Sequence, residues 1–351
     1  PKREEISRHI SGNLCRCRDM IGYIAMKNTY TTGVMCCLLA TLSWGATFPI
    51  MTSALTRCDP YTFTTLRYGF AGLALVVALG LREGRQGLSL KGQRVGLAWL
   101  LGSAGFVGFG FLVFSGQQMA GKDGALTASI MMATMPMLGI LVNGIVRRIA
   151  PPALSVGLVM LSFFGVITVI TKGQYGSLLN SPSSYVANAL MIMGALCWVI
   201  YTLGAGLFPH WSPLKYTAMT TGLGMTSILT LNAALYLSGK VSVPAPADFV
   251  FIIPHVFYTA VIAGFIGIQC WNMGNKILTP MNGVLFMDVV PLTAFSISAM
   301  TGVTPTAAEI TGAGMTGAAL ILNNLYLRYR GAKTAMLARP MQEERLPSRC
   351  D

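Results

Sequence analysis

Charge is scarce in this chain. Asp, Glu, Lys and Arg together make up 11% of 351 residues, against roughly 25% in soluble globular domains. A chain so poor in charge cannot cover the polar surface of a cytosolic enzyme of this length. Histidine is scarcer still, with His9, His210 and His255 far apart, and no HExxH, P-loop or GxSxG run occurs. The usual constellations for metal-assisted hydrolysis, nucleotide hydrolysis and acyl transfer are therefore missing. Acidic residues number 12 against 25 basic ones, for a net charge of +13. The basic residues are scattered through short segments rather than gathered in a patch, so no nucleic-acid partner is expected. The eight cysteines, Cys15, Cys17, Cys36, Cys37, Cys58, Cys197, Cys270 and Cys350, make no disulfide framework. Several lie inside apolar runs, where cysteine behaves as a small hydrophobe.

Apolar length is what the chain has. Hydrophobic residues reach 53% and the mean hydropathy is +0.60. Long stretches carry no charge at all, among them Asn28 to Thr56, Val95 to Gly121, Gly124 to Val146, Gly173 to Leu214 and Phe249 to Asn275. A bilayer core takes about 20 helical residues to cross. The runs predict ten spans, near residues 31–54, 60–81, 95–116, 122–145, 151–171, 185–207, 214–238, 250–273, 279–300 and 305–327. The fold class is thus an all-α integral membrane protein. With ten spans the termini share a side, and that side holds twenty Lys and Arg against four on the other. The positive-inside rule then puts both termini in the cytoplasm.

An internal repeat divides the spans. Pro60 and Pro136 follow Trp44 by 16 and 92 positions, while Pro213 and Pro291 follow Trp198 by 15 and 93. Lys122 precedes Pro136 by 14, and Lys276 precedes Pro291 by 15. The offset is 153–155 residues throughout, giving five spans per half, residues 28–173 and 180–327, followed by a basic cytoplasmic tail, 328–351. Five is odd, so the second half enters from the opposite side, as in inverted-repeat transporters with a midplane substrate site.

From about residue 30 to 327 the chain resembles the drug/metabolite transporter superfamily, in particular its EamA-type ten-helix exporters. The resemblance rests on Ser43-Trp44-Gly45-Ala46-Thr47-Phe48, on Pro60 with Leu66-Arg67-Tyr68, and on Lys122 through Pro136, echoed from Lys276 to Pro291. The acidic residue many relatives keep before the fifth and tenth helices is absent at Arg147–Ala150, and is at best displaced to Glu309. Within the superfamily the chain is most similar to the bacterial aromatic amino-acid exporters of the YddG type. That likeness implies export of amino acids or related small metabolites across the inner membrane by a monomer embedded in the lipid bilayer, without cofactor or metal.

An amino-acid site needs an apolar surface with a few polar groups that fix orientation. Trp44 and Trp198 are repeat partners near mid-helix, with Phe48 one turn from the first and Tyr201 close to the second. Aromatic faces stack apolar side chains and attract a cation. Gln117 and Asn272 are partners under a 155-residue offset, with Trp271 alongside and Gln118, Asn275 and Ser115 as weaker choices of the same kind. Their amides can serve an amino acid or merely cap the interface. Asp288, some 9 residues into the ninth span, has Ala133 as its partner. An acid at that depth costs ~2.5–3.5 kcal/mol on insertion scales, which marks it, with Lys122 behind it, as a candidate charge or coupling partner. Pro136 and Pro291 are the candidate hinges. Arg67 is expected to be structural, its long side chain snorkelling towards the interface.

The first 27 residues read differently. His9 to Cys17 with Gly22-Tyr23 resembles the Cys-x-Cys segment of iron–sulfur subunits of molybdenum hydroxylases. A second Cys pair that would complete such a cluster is missing, because Cys36 and Cys37 fall in the first span. The segment is expected to be a non-native start or a vestigial fusion. The alternative is a membrane redox component using Cys15 and Cys17.

Overall fold

The computed structural model describes residues 29–147, 152–175, 182–300 and 306–343, so the N-terminal segment with Cys15 and Cys17 lies outside the described residues. Among the described residues every regular element is helical. They are α1 (Thr29–Ala54), α2 (Pro60–Leu88), α3 (Val95–Met119), α4 (Gly124–Val146), α5 (Ala153–Ile170) and α6 (Pro182–Gly204). There follow α7 (Pro213–Leu237), α8 (Pro246–Leu278), the interrupted tract α9 (Pro280–Gly283, then Val289–Met300) and α10 (Ala307–Glu343).

Six helices within the described residues are long and apolar enough to cross a bilayer: α1, α2, α3, α4, α6 in the frame Tyr185–Leu207, and α8. Large apolar side chains point outward from them and from α7, including Leu81, Leu73, Leu237 and Val250. Such exposure is costly in water and natural in lipid. In α7 the polar content is internalised. Thr217, Thr220, Thr221 and Thr230 donate their hydroxyls to carbonyls one turn back in the same helix.

Helix starts follow local chemistry. Asp59 caps α2, its Oδ1 accepting from the Tyr61 and Thr62 amides at 2.9 and 2.8 Å, with Pro60 at the first helical position. Ser212 caps α7 in the same way through the Lys215 amide at 2.9 Å, with Pro213 following. A side-chain acceptor before a proline fixes a helix start twice over. Thr306 and Glu309 close the start of α10 as a reciprocal capping box, the Glu309 carboxylate accepting from the Thr306 amide at 2.7 Å. Glu309, the displaced acidic residue of the sequence reading, is thus engaged as a helix cap. Several helices outrun the apolar spans: α2 continues through Arg82 and Arg85, with a kink at Gly84 (φ +62°). Hydropathy marks the bilayer edge, but helix formation does not stop there.

The irregular stretches recur. α3 widens into a π-helix at Ser103–Gly108 and α8 at Tyr258–Gly267, starting 155 residues apart. α4 breaks after Met132, at Ala133 and Thr134, and resumes at Met135. α9 passes through a 3-10 turn at Val284–Asp288 before resuming at Val289. Pro136 and Pro291 sit just past the two breaks, where a missing N–H costs least. Packing follows the same order, with α2 on α7, α4 on α9, α5 on α10 and α3 on α6. α1 lies on α8, with Gly274 against Cys37 and Gly33 against Ile277.

Candidate substrate-binding site

α1 and α6 bring their tryptophans together. The Trp44 and Trp198 rings meet edge to face, centroids 5.2 Å apart at 87°, and Trp271 of α8 lies 5.2 Å from Trp44 on its other side. The π-helical stretches make room for this. The hydrogens of Gly105 and Gly108 face Tyr201 and Cys197, and that of Gly267 faces the Trp44 indole nitrogen. A Cβ at Gly105 or Gly108 would strike its neighbour, and one at Gly267 would crowd the Trp44 indole at 3.0 Å. Trp44 donates Nε1–H to the Ala263 carbonyl at 3.0 Å, inside the widened turn of α8.

Between the tryptophans and the breaks of α4 and α9 lies a small cavity of about 20 Å³, lined by Trp44, Phe48, Arg67, Tyr68, Trp198 and Met287 among others. That is room for about one water. Ligand pockets are usually hundreds of Å³, so this arrangement is a shut one.

Beside the cavity, against Trp198, lies a polar and aromatic layer. Tyr201 stacks on Tyr216 at 5.2 Å, and the Tyr216 hydroxyl donates to the Tyr201 carbonyl at 2.6 Å. Asn272 Nδ2 donates to Tyr201 Oη at 2.7 Å and to Thr217 Oγ1 at 2.8 Å. Beyond this layer a recess of about 210 Å³ opens by the α6–α7 segment, lined by Trp211, Tyr216, Asn272 and Lys276. Lys276 Nζ donates there to the Trp211 carbonyl at 2.8 Å. On the other side Gln117 Nε2 donates to the Phe48 carbonyl at 2.7 Å and Thr52 Oγ1 at 2.9 Å, while Gln118 holds the Leu55 carbonyl at 3.0 Å. A wider polar recess of about 620 Å³ lies outside it, by Arg57, Asp59, Gln118 and Asp248. Arg57 and Asp248 approach to 3.6 Å at its rim. Such an exposed pair is worth at most ~1 kcal/mol.

Of the residues singled out in the sequence, Trp44, Phe48 and Trp198 line the cavity, and Tyr201, Trp271 and Asn272 build the wall beside it. Gln117 and Asn272 are buried ties between helices rather than interfacial caps. Asn275 donates to its own helix at the Trp271 carbonyl, and Ser115 Oγ is buried without a partner among the described residues. Lys122 is exposed in the turn Gly121–Asp123 between α3 and α4 and does not reach the cavity. Asp288 ends the 3-10 turn next to the cavity-lining Met287, and its side chain lies outside the described residues.

Arg67 departs from the sequence expectation. It does not snorkel. It is 3% exposed, its guanidinium carbon 4.7 Å from the Tyr68 ring centre and 5.4 Å from that of Phe114. α2 turns this residue inward against α3, so its head cannot reach the interface. The sequence signal was the lone charge in an apolar span. Tyr68, Phe114, Met132, Met135 and Met287 also line the cavity, and nothing in their spacing separates them from other apolar residues.

A bundle of apolar helices, six of them long enough to cross a bilayer, around a small aromatic cavity defines a multi-pass membrane protein. The comparisons narrow this. Residues 31–171 match the EamA-like transporter family. The chain is 35% identical over 312 residues to the "Uncharacterized transporter YrdR" of Bacillus subtilis (strain 168), covering 88% of this chain and 96% of that one. A crystal structure described only as that of a protein, 18% identical, superposes with a TM-score of 0.59 over 85% of this chain and 98% of the other, which supports the fold alone. The protein belongs to the EamA-like family, within the drug/metabolite transporter superfamily.

Proposed function

We propose that this protein is a secondary transporter rather than an enzyme. In this reading it exports neutral amino acids, aromatic ones foremost, or related small metabolites across the bacterial inner membrane by alternating access. The observation that carries the reading is the aromatic cavity between Trp44 and Trp198, flanked by two separate hydrogen-bonded layers. Aromatic faces suit an aromatic or aliphatic substrate and can hold its ammonium group. Asp288, beside the cavity-lining Met287, is the candidate partner for that ammonium, with Lys122 as an accessory charge at the α3–α4 turn.

Ten spans in two halves of opposite sense fit the packing. Exchanging the halves carries α2/α7, α4/α9 and α5/α10 onto themselves and α1/α8 onto α3/α6. The matched π-stretches and matched breaks support the same reading. Discontinuous helices at the midplane are the elements on which such bundles rock. Both termini then lie in the cytoplasm, and the protein works as a monomer. Transport is facilitative in this scheme, since a tenfold concentration ratio alone supplies about 1.4 kcal/mol.

Proteoliposomes loaded with labelled Phe, Trp, Thr and Met test this directly. Flux above empty liposomes that falls at least tenfold in Trp44→Ala and Trp198→Ala, with Asp288→Asn slowed, supports the assignment. Unchanged rates in all three variants sink the cavity as the route.

A further inference from the structure

The transport reading leaves the most unusual group of the cavity without a task. Arg67 Nε and Nη1 are buried and, among the described residues, have no hydrogen-bond partner. No carboxylate among the described residues lies within ion-pair distance of it. The rings of Tyr68 and Phe114 hold the guanidinium, but a π face accepts no N–H in the way an oxygen does. Two further donors lining the same cavity are also buried and unpaired, the Tyr68 hydroxyl and Trp198 Nε1. This is not a general property of the site. Trp44, the repeat partner of Trp198, has its indole N–H bound to the Ala263 carbonyl, and the hydroxyl of the cavity-lining Thr47 donates to the Ser43 carbonyl at 3.1 Å.

The inventory is one-sided. Among the described side chains, a permanently charged fork and two neutral donors border a small, otherwise apolar space. A buried unpaired charge is strongly unfavourable, and a single water does not neutralise it. A carboxylate does: it accepts bidentately from Arg and has lone pairs left for an indole and a phenol. We propose that Arg67, Tyr68 and Trp198 form the receptor for the carboxylate of the transported solute. This rests on the amino-acid reading and deepens it: the solute class is small monocarboxylates bearing an apolar group, with the ammonium secondary. A matched amine without a carboxylate leaves Arg67, Tyr68 and Trp198 without an acceptor and binds more weakly.

Titration calorimetry on the full-length protein in nanodiscs tests this with L-phenylalanine, 3-phenylpropanoate and 2-phenylethylamine. Both carboxylates are expected to bind at least tenfold more tightly than the amine. Arg67→Gln then weakens them about 10- to 100-fold, the range for a charge-assisted hydrogen bond, and Arg67→Lys falls between. Trp198→Phe and Tyr68→Phe keep the rings and lose one donor each, so they read the site even if Arg67→Gln does not fold. Each is expected to weaken the carboxylates three- to tenfold more than the amine. The proposal is overturned if the amine binds as well as the carboxylates, if none of the three binds, or if Arg67→Lys and both Phe variants leave carboxylate affinity unchanged. Binding of 3-phenylpropanoate through Arg67 without any phenylalanine flux keeps the receptor and removes the amino-acid reading. Phenylalanine flux indifferent to Arg67 does the reverse.

Discussion

Trp44 and Trp198 are 154 positions apart in the chain and meet edge to face with ring centroids 5.2 Å apart, yet their indole nitrogens stand in opposite conditions. One donates to the Ala263 carbonyl and the other is buried without an acceptor. The two tryptophans therefore differ, Trp44 fastening α1 to α8 and Trp198 lining the cavity with its indole N–H unpaired among the described residues.

Replacing each ring by phenylalanine separates these tasks. Trp44→Phe leaves the Ala263 carbonyl unpaired and is expected to cost about 1–3 kcal/mol. Trp198→Phe removes a donor that had no partner and is expected to cost less than that. Thermal unfolding in a single detergent checks the order. An equal or larger loss for Trp198→Phe contradicts it.

The pair was legible in the sequence because the Trp–Pro spacing recurs, and the helix starts because Asp59-Pro60 and Ser212-Pro213 recur with it. Arg67 was legible only as a charge. Whether a guanidinium in an apolar span reaches lipid headgroups or a protein cavity depends on the rotation of its helix, which packing of α2 against α3 and α7 sets and one sequence does not. The lining methionines were invisible for a plainer reason. Met occurs 21 times in the chain, and Met132, Met135 and Met287 gain meaning only where α4 and α9 break beside the tryptophans. The π-stretches leave no mark beyond their glycines.

Asn272 ties α8 to both Tyr201 and Thr217. Asn272→Ala unties them and favours opening towards the α6–α7 recess. A thiol at the buried cavity position Thr47 (Thr47→Cys) is expected to react with a water-soluble maleimide at least tenfold faster in the Asn272→Ala background. The same protein without the introduced thiol supplies the baseline. An unchanged rate means that the Asn272 layer is not the seal.

Pro136 and Pro291 deny an amide donor just beyond the breaks in α4 and α9. Alanine at either position restores one N–H and favours a continuous helix. We expect thermal stability to hold or fall by up to about 1 kcal/mol, because the unfolded chain gains entropy when the proline is lost, and flux in proteoliposomes to fall several-fold because the moving elements stiffen. Faster flux with unchanged stability excludes the hinge assignment.

Orientation is open to direct labelling. Lys91 is exposed between α2 and α3, and Ser242 is exposed between α7 and α8. With both termini cytoplasmic, an impermeant maleimide labels Ser242→Cys on intact cells and Lys91→Cys only after permeabilisation. The reverse pattern inverts the topology. The native Cys58 of the α1–α2 turn will not confuse the result. Burial first, then the neighbouring Asp59 charge, pushes its thiol up to about 12. Because that value is raised, the reactive thiolate is scarce at neutral pH and grows about tenfold per pH unit without levelling near pH 9. Cys58 labelling that levels near pH 9 shows a thiol that is not buried.

Two glycines let α3 and α7 touch through their backbones. A Cβ on Gly102 would run into the Thr220 carbonyl oxygen, and one on Gly224 would sit 2.7 Å from the Gly102 carbonyl. Neither neighbour is a flexible side-chain tip, so the helices themselves would have to part, carrying with them the π-stretch that shapes the cavity. Overpacking of this kind costs about 1–3 kcal/mol and occasionally more. Gly96 lies earlier in the same helix with nothing within 4 Å of its Cβ position, and it provides the matched control. Gly102→Leu is expected to abolish a monodisperse peak in size-exclusion chromatography, whereas Gly96→Leu keeps it and gains slightly from losing a helix-weakening glycine. If both variants elute alike and unfold at the same temperature, the α3–α7 approach is looser than the backbone contact at Gly102 and Gly224 implies.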